Sequence, residues 1–160
     1  MDTLPPAMVH LTRRVTFNAA HKLYNDAWSE ERNRATFGKC ANANWHGHNY
    51  QLFVTVTGDP HPDTGFVMDA KRLADIIKAE VTDELDHRNL NLDVPWLRGQ
   101  MVTSENVAVG IWGRLSPKLE AHAAEHNPTL RLHCVKLTET ENIFVEYYGP
   151  AAVAAGSEPA

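Results

Sequence analysis

A chain of 160 residues with 43% apolar and 22% charged side chains has the composition of one soluble globular domain, long enough to bury a core of its own. Its net charge of -5 gives no electrostatic reason to expect nucleic acid or an anionic membrane as a partner, and no apolar run approaches the roughly 18 residues that span a bilayer. The opening MDTLPPAMVH lacks the basic-then-apolar pattern of an export signal, so the expectation is a cytoplasmic protein with Cys40 and Cys134 as free thiols.

Taken in chain order, residues 1–8 and the small-residue tail 150–160 have nothing to bury and are expected to be flexible termini around a single domain, 9–149. Residues 9–20 and 48–58 are rich in β-branched and aromatic side chains with partial alternation, and read as strands. Between them 24–45 is polar and irregular, with a short helix near 29–36, and DPHPDTG at 59–65 is a turn cluster. Asp69 offers an N-cap for a helix through about 85, with Leu73, Ile76, Ile77, Val81 and Leu85 on one face. A second helix opens at Thr103 or Ser104, its apolar stripe Val107, Ala108, Ile111, Trp112 and Leu115. Pro117 is predicted to end or kink it. Residues 130–138 and 142–148 read as two more strands, joined by the tight turn Glu139-Thr140-Glu141. The order ββααββ predicts an α+β domain, an antiparallel sheet with helices on one face.

The chemistry concentrates around His46-Gly47-His48. In an extended segment residues i and i+2 share a face, so both imidazoles converge, and Gly47 adds no side chain on the other side. His21 ends the preceding strand, which a hairpin would bring beside them. Three neutral imidazoles with an open fourth position describe a catalytic zinc site, although imidazoles also accept iron, copper or nickel. Cys40, in FGKC, is either a fourth ligand closing a structural site or a thiolate activated by the metal and Lys39. Cys134, inside a strand, reads as a buried inert thiol. Asp86-His87 at a helix end is either an orienting acid–imidazole pair or a surface acid beside a helix-end histidine. His122 and His126, at i and i+4, read as solvated helix histidines, and Glu139 by itself reads as a solvated turn carboxylate.

The stretches VTFNAAHKLY (15–24), FGKCANANWHGHNYQLFVTV (37–56), DPHPDTGFVMD (59–69), LDHRNLNLDVPW (85–96), TSENVAVGIW (103–112) and KLTETENIFVEY (136–147) together resemble the 6-pyruvoyl-tetrahydropterin synthase / 6-carboxytetrahydropterin synthase family. The resemblance implies a tunnelling fold (T-fold), in which a four-stranded antiparallel sheet and two helices assemble into a trimeric barrel. Two such trimers stack into a homohexamer, with active sites at subunit interfaces. It implies zinc on His21, His46 and His48, Cys40 as the catalytic thiol, and Asp86 and His87 as its proton-handling partners. It further implies Glu139 as the carboxylate that anchors the pterin, with Thr103, Ser104 and Glu105 lining the pterin pocket.

The implied activity is that of a carbon–oxygen lyase acting on phosphates: 7,8-dihydroneopterin triphosphate becomes 6-pyruvoyl-tetrahydropterin with loss of triphosphate. No redox cofactor is implied, and Mg2+ on the triphosphate is the second metal that the resemblance admits. The same family contains 6-carboxy-5,6,7,8-tetrahydropterin synthase of queuosine biosynthesis, which often has fewer residues between the cysteine and the HGH motif. Here there are five, Ala41 to Trp45, as in the pyruvoyl branch. Trp45 departs from the small residue expected before His46 and leaves specificity for the substrate side chain open. A reading of another class is a non-enzymatic module in which the three histidines and Cys40 close a structural zinc site.

Overall fold

The computed structural model describes residues 8–151. In chain order they form β1 (Val9–His21), α1 (Glu30–Phe37), β2 (His46–Gly58), α2 (Ala70–Ile77), a π-helical turn (Lys78–Thr82), α3 (Asp83–Leu85), β3 (Arg88–Asn89), α4 (Ser104–His126), β4 (Arg131–Thr140) and β5 (Ile143–Tyr147). One sheet runs in the order β3-β1-β2-β4-β5, antiparallel except that β3 lies parallel to β1. The expectation for the termini 1–8 and 150–160 falls, apart from Met8, Pro150 and Ala151, outside the described residues.

Alternation on β2 decides which face of the sheet is covered. Tyr50, Leu52, Val54 and Val56 are fully buried, while Gln51, Phe53 and Thr55 between them look the other way. Against this apolar row pack Leu73, Ile77, Val81 and Leu85 from α2 to α3, and Val107, Ile111, Leu115 and Leu119 from α4. Each such side chain contributes roughly 1.5–3 kcal/mol on burial. Asp69 caps α2 by accepting from Lys71 N–H at 2.8 Å, and Thr103 caps α4 by accepting from Asn106 N–H at 3.3 Å. Arg114 Nε donates to the Glu80 carbonyl at 3.3 Å within the π turn, and its guanidinium ion-pairs with Glu84 at 2.8 Å.

Three details differ from the sequence reading. The sheet has a fifth strand, β3, two residues long and so too short for any pattern to announce. It forms because the chain reverses after Leu85, His87 N–H donating to Asn18 O at 2.6 Å and Leu90 N–H to Ala20 O at 2.8 Å. Pro117 does not end the second helix: α4 runs on to His126. Pro117 is on the exposed face, and Leu119 and Ala123 stay buried beyond it, so packing outweighs one lost backbone hydrogen bond. Glu139 is not in the turn. It belongs to β4, where a bulge between Thr138 and Thr140 leaves it without a cross-strand partner on β5.

Candidate active site

The β1–β2 ladder ends on the pair His21↔His46, with Ala19↔His48 two residues inward. His21, His46 and His48 therefore share the helix-covered face, with ring centroids 4.5–5.0 Å apart. A Cβ on Gly47 would meet the Ala19 carbonyl oxygen at 3.3 Å, a tight contact that glycine avoids. His21 is 1% exposed, and the Val102 carbonyl accepts from its Nδ1–H at 2.8 Å. That fixes the tautomer and turns the Nε2 lone pair toward the other two rings.

Glu139 enters the same space from β4. Its Oε1 lies 2.9 Å from His48 Nε2 and 3.5 Å from His21 Nε2, and its Oε2 accepts from the Ser104 hydroxyl at 2.6 Å. The His21 imidazole, the Ser104 hydroxyl and the charge on His48 hold the Glu139 carboxyl at about 2, against the opposing effect of burial. Burial, followed by neighbouring imidazoles, lowers His46, and burial also lowers His48 against the pull of Glu139. Both shifts favour the neutral form of the ring, which is the form that can act as a ligand.

The donor set fits a metal ion. Ligand atoms of His21, His46, His48 and Glu139 all lie within 4.8 Å of one another. Four buried ring nitrogens, His21 Nε2, His46 Nδ1 and Nε2, and His48 Nε2, make no aligned hydrogen bond. Orphaned buried nitrogens are costly in a protein that offers them nothing to bind, whereas three imidazole lone pairs beside one carboxylate suit a divalent cation. Cys40 is outside this group. It is half-buried at the border of the pocket, its carbonyl accepting from Leu23 N–H at 2.8 Å. Burial first, then the Glu139 carboxylate, push its thiol up, so Lys39 does not by itself make a thiolate here.

Asp86 and His87 are not brought into the cluster. They stand at the sheet edge beside Asn18, with side chains 42% and 79% exposed. Asp86 accepts from Asn18 N–H at 2.8 Å and lies 3.0 Å from His87 Nδ1. The Asn18 amide first, then His87, hold its carboxyl below the usual range. Thr103 and Ser104 are drawn in by the N-terminus of α4, Thr103 as its cap and Ser104 through Glu139, whereas Glu105 is exposed on the first turn. Two contributors escaped the sequence reading. Tyr50 is fully buried with its ring centroid 5.5 Å from that of His48 and its hydroxyl unpartnered, and burial raises it far above an ordinary phenol. Its signal was its spacing, since 46, 48 and 50 share one face of a strand. The Val102 carbonyl carried no signal at all.

An α+β sheet covered on one face, whose paired strand ends bring three imidazoles beside a half-buried carboxylate, defines a protein with a candidate metal site. The chain belongs to the 6-pyruvoyl tetrahydropterin synthase family, whose model matches residues 10–150. It is 44% identical over 141 residues to a Dictyostelium discoideum protein named 6-pyruvoyl tetrahydrobiopterin synthase, covering 88% of this chain and 96% of that one. The solved structure of Caenorhabditis elegans 6-pyruvoyl tetrahydropterin synthase superposes with a TM-score of 0.81 at 34% identity, over 92% of this chain and 100% of that one. A Rickettsia conorii 6-carboxy-5,6,7,8-tetrahydropterin synthase is 25% identical over 154 residues, 87% of this chain and 99% of that one.

Proposed function

We propose that this chain converts 7,8-dihydroneopterin triphosphate to 6-pyruvoyl-tetrahydropterin with elimination of triphosphate. The observation that carries the reading is the convergence of His21, His46, His48 and Glu139 within 4.8 Å, with four ring nitrogens unsatisfied. The pyruvoyl rather than the carboxy product is supported by 44% identity to a relative named for the former, against 25% for one named for the latter.

His21, His46 and His48 would hold Zn2+, which when bound supplies a Lewis acid for the side-chain hydroxyls of the substrate. A ring nitrogen bound to a cation donates no hydrogen bond, so Glu139, kept ionised and oriented by Ser104, turns to the guanidine-like edge of the pterin. Two carboxylate oxygens match two N–H donors there. Thr103 caps α4 and thereby fixes the backbone that carries Ser104, while Glu105 lines the outer pocket. Cys40, as the thiolate that the charge of a bound cation would favour, takes the side-chain proton and His87, oriented by Asp86, returns one, so that the side chain tautomerises and triphosphate leaves. The oxidation and reduction are internal to the substrate. Mg2+ accompanies the triphosphate as part of the substrate.

The exposed Asp86–His87 pair suits a site completed between copies of the chain. The outer edge of β1 from Val9 to Phe17 and that of β5 are unpaired among the described residues. Closing such edges removes open hydrogen-bonding strands, in keeping with a trimeric barrel stacked into a homohexamer in the cytoplasm. No helix among the described residues is long and apolar enough to cross a membrane. The test is incubation of the purified, zinc-loaded protein with dihydroneopterin triphosphate and identification of the product by mass. The pyruvoyl pterin with free triphosphate supports the reading; a carboxy pterin with acetaldehyde moves the chain to the other branch; no turnover by the folded, metal-loaded protein overturns both.

A further inference from the structure

Among the described residues, only Trp45 and His87 have left-handed backbone without being glycine, at φ 65° and 58°. For a bulky side chain this conformation is an outlier, and such strain collects at ligand clamps and active sites. His87 already belongs to the proton pair described above. Trp45 has no role so far, yet it directly precedes His46.

Its position is set by the strand ends. The β1–β2 ladder stops at His21↔His46, which makes Lys22 and Trp45 the first residues beyond the metal pocket on the two strands. The Asn91 side chain grips the main chain of Lys22 from both sides: Lys22 N–H donates to Oδ1 at 3.0 Å, and Nδ2–H donates to Lys22 O at 2.9 Å. The Lys22 ammonium lies 4.4 Å from the ring centroid of Tyr24 and 5.6 Å from that of Trp45, so aromatic faces hold it in place. These residues, with the amide of Gln100, line a cavity of about 530 Å³ whose one acid is Asp26. A cation steadied by π-faces keeps its N–H donors free for an incoming anion.

We propose that Trp45 is a specificity-determining residue: with Tyr24 it holds Lys22 next to the strand ends that carry His21 and His46, where the ammonium selects substrates carrying a phosphate-class anion. The proposal deepens the functional reading above by naming the part of the substrate that this wall recognises. It also accounts for keeping an indole where glycine would be at ease.

The experiment measures binding of inorganic tripolyphosphate to the zinc-loaded protein by calorimetry, for wild type, Lys22→Met, Trp45→Gly and Trp45→Phe, with thermal melting of each. Losing one charge-assisted contact should weaken binding roughly tenfold in Lys22→Met. Trp45→Gly should lose a similar factor although its Tm is unchanged or raised, because glycine relieves the left-handed strain. Trp45→Phe should recover most of the affinity. A residue that is merely structural gives the opposite coupling, weaker binding only alongside a lower Tm, and that result overturns the proposal. So does equal affinity in wild type and Lys22→Met, which assigns the anion to the metal. Lys22-dependent binding by a protein that forms no pterin product would retain this inference and reject the functional reading; product formation with Lys22-independent binding would do the reverse.

Discussion

Cys40 and Glu139 act on each other through charge, and their proposed roles divide at single atoms. The thiol stands beside the metal-ligand cluster rather than in it. Cys40→Ala is therefore expected to keep its zinc, counted by elemental analysis, while kcat falls by roughly 10²–10⁴-fold as a proton carrier is removed. Loss of zinc along with activity would make Cys40 a ligand and return the closed structural site. Glu139→Gln keeps the size of the side chain and its bond to Ser104 but cannot accept two N–H donors as a carboxylate does. Its KM should rise roughly tenfold with metal content unchanged, since hydrogen bonds to a charged group are worth about 1.5–3 kcal/mol. Metal loss in that variant would show that the carboxylate is a fourth donor.

At the scale of elements, the site is a product of where strands and helices end. β1 finishes on His21 where β2 begins on His46, and the cap of α4 delivers Ser104 to Glu139. The length of α4 is set by burial rather than propensity, because Leu115, Leu119 and Ala123 keep one face in the core past Pro117. Pro117→Ala restores a backbone donor at an exposed position and should stabilise the protein by about 1–3 kcal/mol in chemical denaturation, less whatever entropy the unfolded chain regains. Leu119→Ala, two residues on, should cost about 2–5 kcal/mol through the cavity it opens. If Pro117→Ala destabilises instead, the proline is relieving a crowded turn and the helix is held by something other than its buried stripe.

At the scale of the whole molecule, the ligand cluster makes stability depend on pH. His46 and His48 titrate below their ordinary 6.5 in the folded chain, burial being the first cause for each. Unfolded chain thus binds protons at a higher pH than folded chain does. The contribution of the neutral rings is complete above about 6.5 and is lost as pH falls through their lowered values. Glu139 has the same sign lower down: its contribution is present above the ordinary 4.5 and lost as pH falls toward about 2. Metal-stripped protein should therefore lose stability steadily on acidification from neutral pH, read from urea midpoints. A flat profile would mean that the histidines are not desolvated. Restoring Zn2+ should raise the melting temperature near neutrality, and the gain should shrink as the imidazoles protonate.

Local pattern determined a good deal without any structure. Alternation and capping residues located the four long strands and both core helices, because periods of 2 and 3.6 are imposed by backbone geometry. The spacing of His46 and His48 put two imidazoles on one face for the same reason, and the wider resemblance supplied Asp86, His87 and Glu139. What only tertiary structure decided depends on distant partners. Glu139 looked like a turn residue until a bulge kept it in β4 beside His48; Pro117 looked like a stop until the core was seen to continue beyond it. β3, the Val102 carbonyl behind His21 and the left-handed Trp45 follow from how separate segments meet, and no periodicity records such meetings.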